Sequence, residues 1–168
     1  MYTHLEDYIF DLYTSIGVYT PADLDMHTIA KKIGVKISYK SKPFRFDNEI
    51  ILNEGTKCEE WMDFGHETSH YLRHCGNQLS MPKLFIDLQE CQATHFAYHF
   101  CVPTFMLDNL RVRNVYEVMN LFNVDFDFAL KRLEMYKNRQ YYRKMWLIPA
   151  NNRILERKEN YYGLLSKN

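Results

Sequence analysis

Thr56-Lys57-Cys58-Glu59-Glu60-Trp61-Met62-Asp63-Phe64-Gly65-His66-Glu67-Thr68-Ser69-His70 is the stretch that decides how this chain is read. Thr56 and Glu59 form a T-x-x-E capping box, which predicts a helix from Lys57 to about His74, with Gly76 just beyond its end. Inside that helix stands His66-Glu67-Thr68-Ser69-His70, an H-E-x-x-H pattern. Residues four apart lie one turn above each other, so both imidazoles can hold one ion from the same face. Glu67 lies about 100° round the helix, beside the ion, where it can take a proton from water that the ion activates. Neutral imidazoles with an open fourth position suit zinc. With seven His in 168 residues, the pattern arises by chance in about 2% of chains of this composition. Helical projection turns Cys58, Trp61, Gly65 and Leu72 away from the two histidines, so one face can pack while the other lines a cleft.

A tetrahedral site needs a third protein ligand. Asp87, Glu90, His95, His99 and Asp108 are the downstream candidates. Glu90 is the best placed, in the middle of a second long helix expected over roughly Pro82 to Val102 and bounded by Pro103. Ala93 and Ala97 flank its face and would let the two helices approach closely. His95 and His99 point about 140° and 180° away from Glu90 and cannot share its ion. The cleft is expected between the two long helices.

Outward from these helices the chain keeps a simple order. Leu5, Tyr8, Ile9, Leu12 and Ile16 recur at helical spacing, and Gly17 follows as a stop. Thr20-Pro21-Ala22-Asp23 reads as the start of a second helix whose apolar face is Leu24, Ile29, Ala30 and Ile33, with Gly34 at its end. Val35, Ile37 and Tyr39 alternate, as do Phe44 and Phe46. Asp47-Asn48 can turn the chain into Ile50-Ile51-Leu52, so a sheet of about three strands is expected. After Pro103 the signals are mostly helical, with a turn at Val124-Asp125 between helices near 115–122 and 126–144. Leu121, Phe122, Val124, Ala129, Leu130 and Leu133 would form the core of that pair, which can be read as a helix-turn-helix.

Glu90-Cys91-Gln92-Ala93-Thr94-His95-Phe96-Ala97-Tyr98-His99-Phe100-Cys101-Val102-Pro103 resembles the E-x-x-A-N-x-F-A-x-x-L-L-x-P signature of the ImmA/IrrE metallopeptidase family. The order of elements is similar too: the Ile29–Ile37 helix-to-strand start, the H-E-x-x-H helix, the Glu90 helix, and a helical end at Leu121–Leu133. The resemblance covers about residues 20–136. It implies an α+β, mostly helical, gluzincin-type fold, with His66, His70 and Glu90 as ligands of one zinc and Glu67 as general acid/base. It further implies an intracellular metalloendopeptidase that cuts a helix-turn-helix repressor in phage or mobile-element circuits. On that reading residues 1–103 form the metallopeptidase core and residues 104–168 a C-terminal helical lobe with a basic tail. Thr68-Ser69 stand where the family commonly has Leu-Gly, Thr94 replaces Asn, and Phe100-Cys101 replace an aliphatic pair. None of these removes a ligand or Glu67.

Composition narrows the alternatives. Lys+Arg and Asp+Glu balance at 21 each, so no overall field holds a polyanion. The balance hides a net +7 in residues 131–168 against −7 in the remainder. Four cysteines without a C-x-x-C pair, no basic-then-apolar start and no long apolar run lead to the expectation of a reduced, cytoplasmic protein away from membranes. Direct nucleic-acid binding is not expected, because the second helix of the C-terminal pair opens Phe126-Asp127-Phe128, without donors, although Lys131 and Arg132 follow. Two rivals remain: an antirepressor that sequesters a repressor around a structural metal, and a DNA-binding regulator. Tyr71 and Tyr98 are candidates for polarising a scissile carbonyl, and His74 for supporting the ligands or the helix end.

Overall fold

The computed structural model describes residues 2–39, 44–46, 48–73, 81–112 and 114–147. Helix α1 (His4–Ser15) begins with a capping box in which Thr3 Oγ1 accepts from Glu6 N while Glu6 accepts from Thr3 N. Its buried Ile9 and Tyr13 face the core, and the Tyr13 phenol donates to the Phe100 carbonyl at 2.8 Å. The Thr20 box does not open a long helix. It closes a single 3-10 turn, Pro21–Asp23, whose Asp23 carboxylate accepts from Tyr19 N, Thr20 N and the Thr20 hydroxyl. Helix α2 (Met26–Ile33) starts instead at Asp25, which caps Thr28 N at 2.8 Å, and ends on Gly34 at φ 83°. Two short caps in succession outcompete one continuous helix, because each satisfies the early backbone donors locally.

Strands β1 (Lys36–Tyr39), β2 (Phe44–Phe46) and β3 (Glu49–Leu52) form a three-stranded sheet in the order β1-β3-β2. β1 runs parallel to β3, with Ile37 opposite Ile50, and β2 runs antiparallel to it, with Phe44 opposite Ile51. Ile50, Ile51 and Leu52 are all fully buried, as a central strand covered on both faces requires.

Helices α3 (Lys57–Arg73) and α4 (Lys83–Cys101) lie against each other, and α3 also contacts β3. The Thr56–Glu59 box is present, with Glu59 N donating to Thr56 Oγ1 and both Thr56 donors meeting Glu59 Oε2 at 2.8 Å. Gly65 makes the approach possible: a Cβ there would stand 2.6 Å from Cys101 Sγ and 3.4 Å from the Phe100 ring. Trp61, Phe64, Phe96 and Phe100 interleave beside it, each burial stabilising by roughly 1.5–3 kcal/mol. Cys101 fills the notch with its thiol on the Trp61 carbonyl, so the Phe100-Cys101 departure from the family pattern is part of this packing.

The signals after Pro103 resolve into three helices. Helix α5 (Thr104–Leu110) has no separate mark in the sequence: Thr104, Phe105, Met106 and Leu107 are all buried, so no polar face sets a period. Helices α6 (Val115–Phe122) and α7 (Phe126–Leu147) follow the expected bounds closely, capped by Asn114 and Asp125. Phe122, Val124, Ala129 and Leu133 are buried as expected, but Leu121 and Leu130 are exposed. Tyr2–Leu133 form one compact unit, and a second begins at Glu134, where Gln140 Nε2 donates to the Tyr136 hydroxyl at 2.9 Å.

A buried polar clamp closes the first unit. Arg132, 1% exposed, donates through Nε to the Val102 carbonyl at 3.0 Å and through Nη2 to Thr104 Oγ1 at 2.7 Å. The Thr104 hydroxyl donates onward to buried Glu6 Oε1 at 2.6 Å. Arg132 is therefore spent in the interior rather than offered to DNA. Among the described residues no helix is long and apolar enough to cross a membrane.

Candidate metal centre

Donor atoms of three residues on two helices converge. His66 Nε2 lies 3.1 Å from Glu90 Oε2 and 3.2 Å from His70 Nε2. His70 Nε2 lies 3.4 Å from Glu90 Oε1. The helical repeat stacks the two imidazoles, and the close α3–α4 approach at Gly65 brings Glu90 across to them. One donor atom from each residue falls within 4.8 Å of the others, the one such group of metal-binding side chains found among the described residues.

Donors held tetrahedrally at ~2.0–2.1 Å from zinc stand about 3.3–3.4 Å apart. The imidazole nitrogens lie 3.2 Å apart and each has a Glu90 oxygen at 3.1 or 3.4 Å, close to that spacing, and two imidazoles with one carboxylate are a donor set that zinc accepts while leaving one position open. His70 is buried, whereas His66 and Glu90 are half-buried, so the group opens to solvent on one side. Glu67, 7% exposed, sits beside it. Burial, helped by the charges of Glu90 and Asp63, pushes the Glu67 carboxyl up to about 7. Such a crowd of carboxylates is costly without a cation among them, which is a second sign that the residues fit one.

The remaining candidates lie elsewhere. Asp87 is exposed and outside the cluster, and Asp108 accepts from the Tyr2 hydroxyl at 3.0 Å. His95 is exposed and His99 buried, their rings 5.0 Å apart on the far side of α4. Tyr98 packs on Phe128 at 4.5 Å, and burial with the charges of Asp125 and Asp127 raises its phenol, so it serves packing. Tyr71 is half-buried next to His70. His74, Cys75 and Gly76 lie outside the described residues, as does the basic tail beyond Leu147. Cys58, Cys91 and Cys101 are free thiols, and burial raises those of Cys58 and Cys101. Thr94 is exposed on α4, while Thr68 and Ser69 are fully buried, small enough for the packing of α3. Asp63, half-buried one turn before His66, is the residue that motif reading passes over. Its spacing of three from His66 and four from Glu67 is the signal that could have found it.

A stacked imidazole pair, a carboxylate from a facing helix and a buried glutamate beside them define a metallopeptidase class of site. The peptidase M78 family, described as the IrrE N-terminal-like domain, matches residues 22–134. The chain is 41% identical over 149 residues to the phage-like element PBSX protein XkdA of Bacillus subtilis (strain 168), covering 82% of this chain and 75% of that protein. It is 34% identical over 154 residues to the protein YqaB of the same strain, covering 85% and 87%. The chain belongs to the peptidase M78 family, the IrrE-like metallopeptidases.

Proposed function

We propose that the chain is a zinc-dependent endopeptidase that cuts a helix-turn-helix repressor within a phage or mobile-element circuit. The observation that carries this reading is the convergence of His66, His70 and Glu90 beside buried Glu67. Zinc, when bound, supplies a Lewis acid that polarises the scissile carbonyl and lowers the pKa of water. His66, His70 and Glu90 would hold the ion, on the side of the cluster where His66 and Glu90 are half-buried and reach solvent. Glu67 takes the proton of the attacking water and delivers it to the leaving amine, a transfer worth typically 10²–10⁴-fold. Its burial keeps bulk water from competing for that proton. Kinship with a protein of phage-like element PBSX supports the mobile-element setting. Zinc chemistry does not discriminate among peptide bonds, so a docking surface beyond the cleft must select the repressor, and residues after about Thr104 are our assignment for it.

The test is cleavage of candidate repressors by the zinc-loaded protein and by Glu67→Gln. The variant should keep its zinc and lose about 10²–10⁴-fold in cleavage rate. Release of the repressor from its operator by both proteins, with the repressor intact, would establish sequestration instead.

A further inference from the structure

Asp63 occupies an unusual position for a half-buried carboxylate. Its helical neighbours one turn away in either direction are Glu59, Glu60, His66 and Glu67, so three of the four are acids and His66 alone can donate a proton. Asp also has poor helix propensity in a helix interior, and nothing local rewards it here. In projection Asp63 lies about 60° round from His66, between it and Glu67. Side chains tilt toward the helix N-terminus, which leans His66 back over the turn that carries Asp63.

The metal cluster uses Nε2 of His66, which leaves Nδ1 on the outer side of the ring. Among the described residues neither that nitrogen nor the Asp63 carboxylate has a hydrogen bond or ion pair, with each other or with any third group, so a link between them needs a bridging water. Ligating imidazoles nearly always donate their second N–H, and the acceptor fixes tautomer and ring orientation. We infer that Asp63 is the positioning residue of the metal centre, accepting the Nδ1–H of His66 through one bridging water when Nε2 holds the ion. Burial and the Glu59 charge push the Asp63 carboxyl up, and the His66 ring is the neighbour that pulls the other way. This inference rests on the zinc reading above and adds a residue outside the H-E-x-x-H pattern.

Competition with a chromophoric chelator measures zinc affinity for the wild type, Asp63→Asn, Asp63→Ala and a His70→Ala control. Asp63→Ala should weaken zinc by about 10–100-fold. Asp63→Asn, whose amide oxygen still accepts, should stay within about threefold of the wild type. Nitrogen-15 NMR of the zinc-loaded protein should find the His66 proton on Nδ1 and its resonance shifted by Asp63→Asn. That readout stands even if the Ala variant loses its helical circular dichroism. Zinc binding by Asp63→Ala at wild-type strength, or an unmoved Nδ1–H resonance, overturns the role of Asp63. Equal losses in both variants overturn it too, by pointing to charge rather than an acceptor. Absence of zinc binding by the wild type defeats the zinc reading itself, a different outcome from any of these.

Discussion

Two groups of buried charge stand in the same compact unit and are built on opposite principles. The Glu6–Thr104–Arg132 clamp pairs a carboxylate, a hydroxyl and a guanidinium so that donors meet acceptors at 2.6–3.0 Å, down to the Val102 carbonyl. The α3–α4 cluster gathers Glu67, Glu90 and Asp63 with two imidazoles, and burial, helped by the neighbouring carboxylates, pushes the Glu67 carboxyl up to about 7. One network is closed among protein groups. The other is open to solvent and, on the zinc reading, would take a cation. Burial of charge alone does not mark a site; a crowd of like charges beside a solvent-open cleft does, because a structural network has no reason to tolerate it.

Removing the guanidinium should break the closed network with the largest effect on stability. Arg132→Met leaves Thr104 Oγ1 and the Val102 carbonyl short of a donor, strips the network of its cation, and should cost about 3–5 kcal/mol in urea unfolding. Zinc stoichiometry should hold in the folded protein. Loss of zinc before loss of fold would show that the clamp and the cluster are one system.

Withdrawing the cation tests the open network. At free zinc of 100 to 1,000 times the dissociation constant, binding adds about 2.7–4.1 kcal/mol, so chelation should lower the unfolding midpoint by that much. Most of the helical circular dichroism should survive, since the aromatic core between α3 and α4 holds without the ion. A coil spectrum on chelation would turn the centre into a structural one.

A smaller effect sharpens how the open network is assembled. Gly65→Ala drives a methyl toward the Cys101 sulfur, only 2.6 Å away, and should cost about 1–3 kcal/mol. Adding Cys101→Ala should recover most of it. No recovery would mean that the backbone at Ala97, rather than the thiol, sets the limit.

Legibility from sequence tracked the range of the interaction. The Thr56–Glu59 box, the stacked histidines and the bounds of α6 and α7 depend on neighbours within one or two turns, and the residues declare them. Thr20 misled because its box is real but closes a single turn, while Asp25 caps the helix. The β1-β3-β2 order was out of reach, since strand pairing depends on partners distant in sequence. Glu90 was favoured by the signature and by its flanking alanines, yet its approach to the imidazoles depends on the Gly65–Cys101 notch between helices. Arg132 read as a surface base because its partners, Thr104 and Val102, are 28 and 30 residues away.

That same separation sets a timetable for the newborn chain. The metal cluster spans 24 residues, from His66 to Glu90, and can assemble soon after α4 leaves the ribosome. The clamp reaches across 98 residues between Glu6 and Thr104 and then waits for Arg132. Closures over long loops come late because their entropy must be met before the contact rewards it. The centre should therefore be able to capture its ion while the first helix is still unlatched, and synthesis of α7 supplies the bolt.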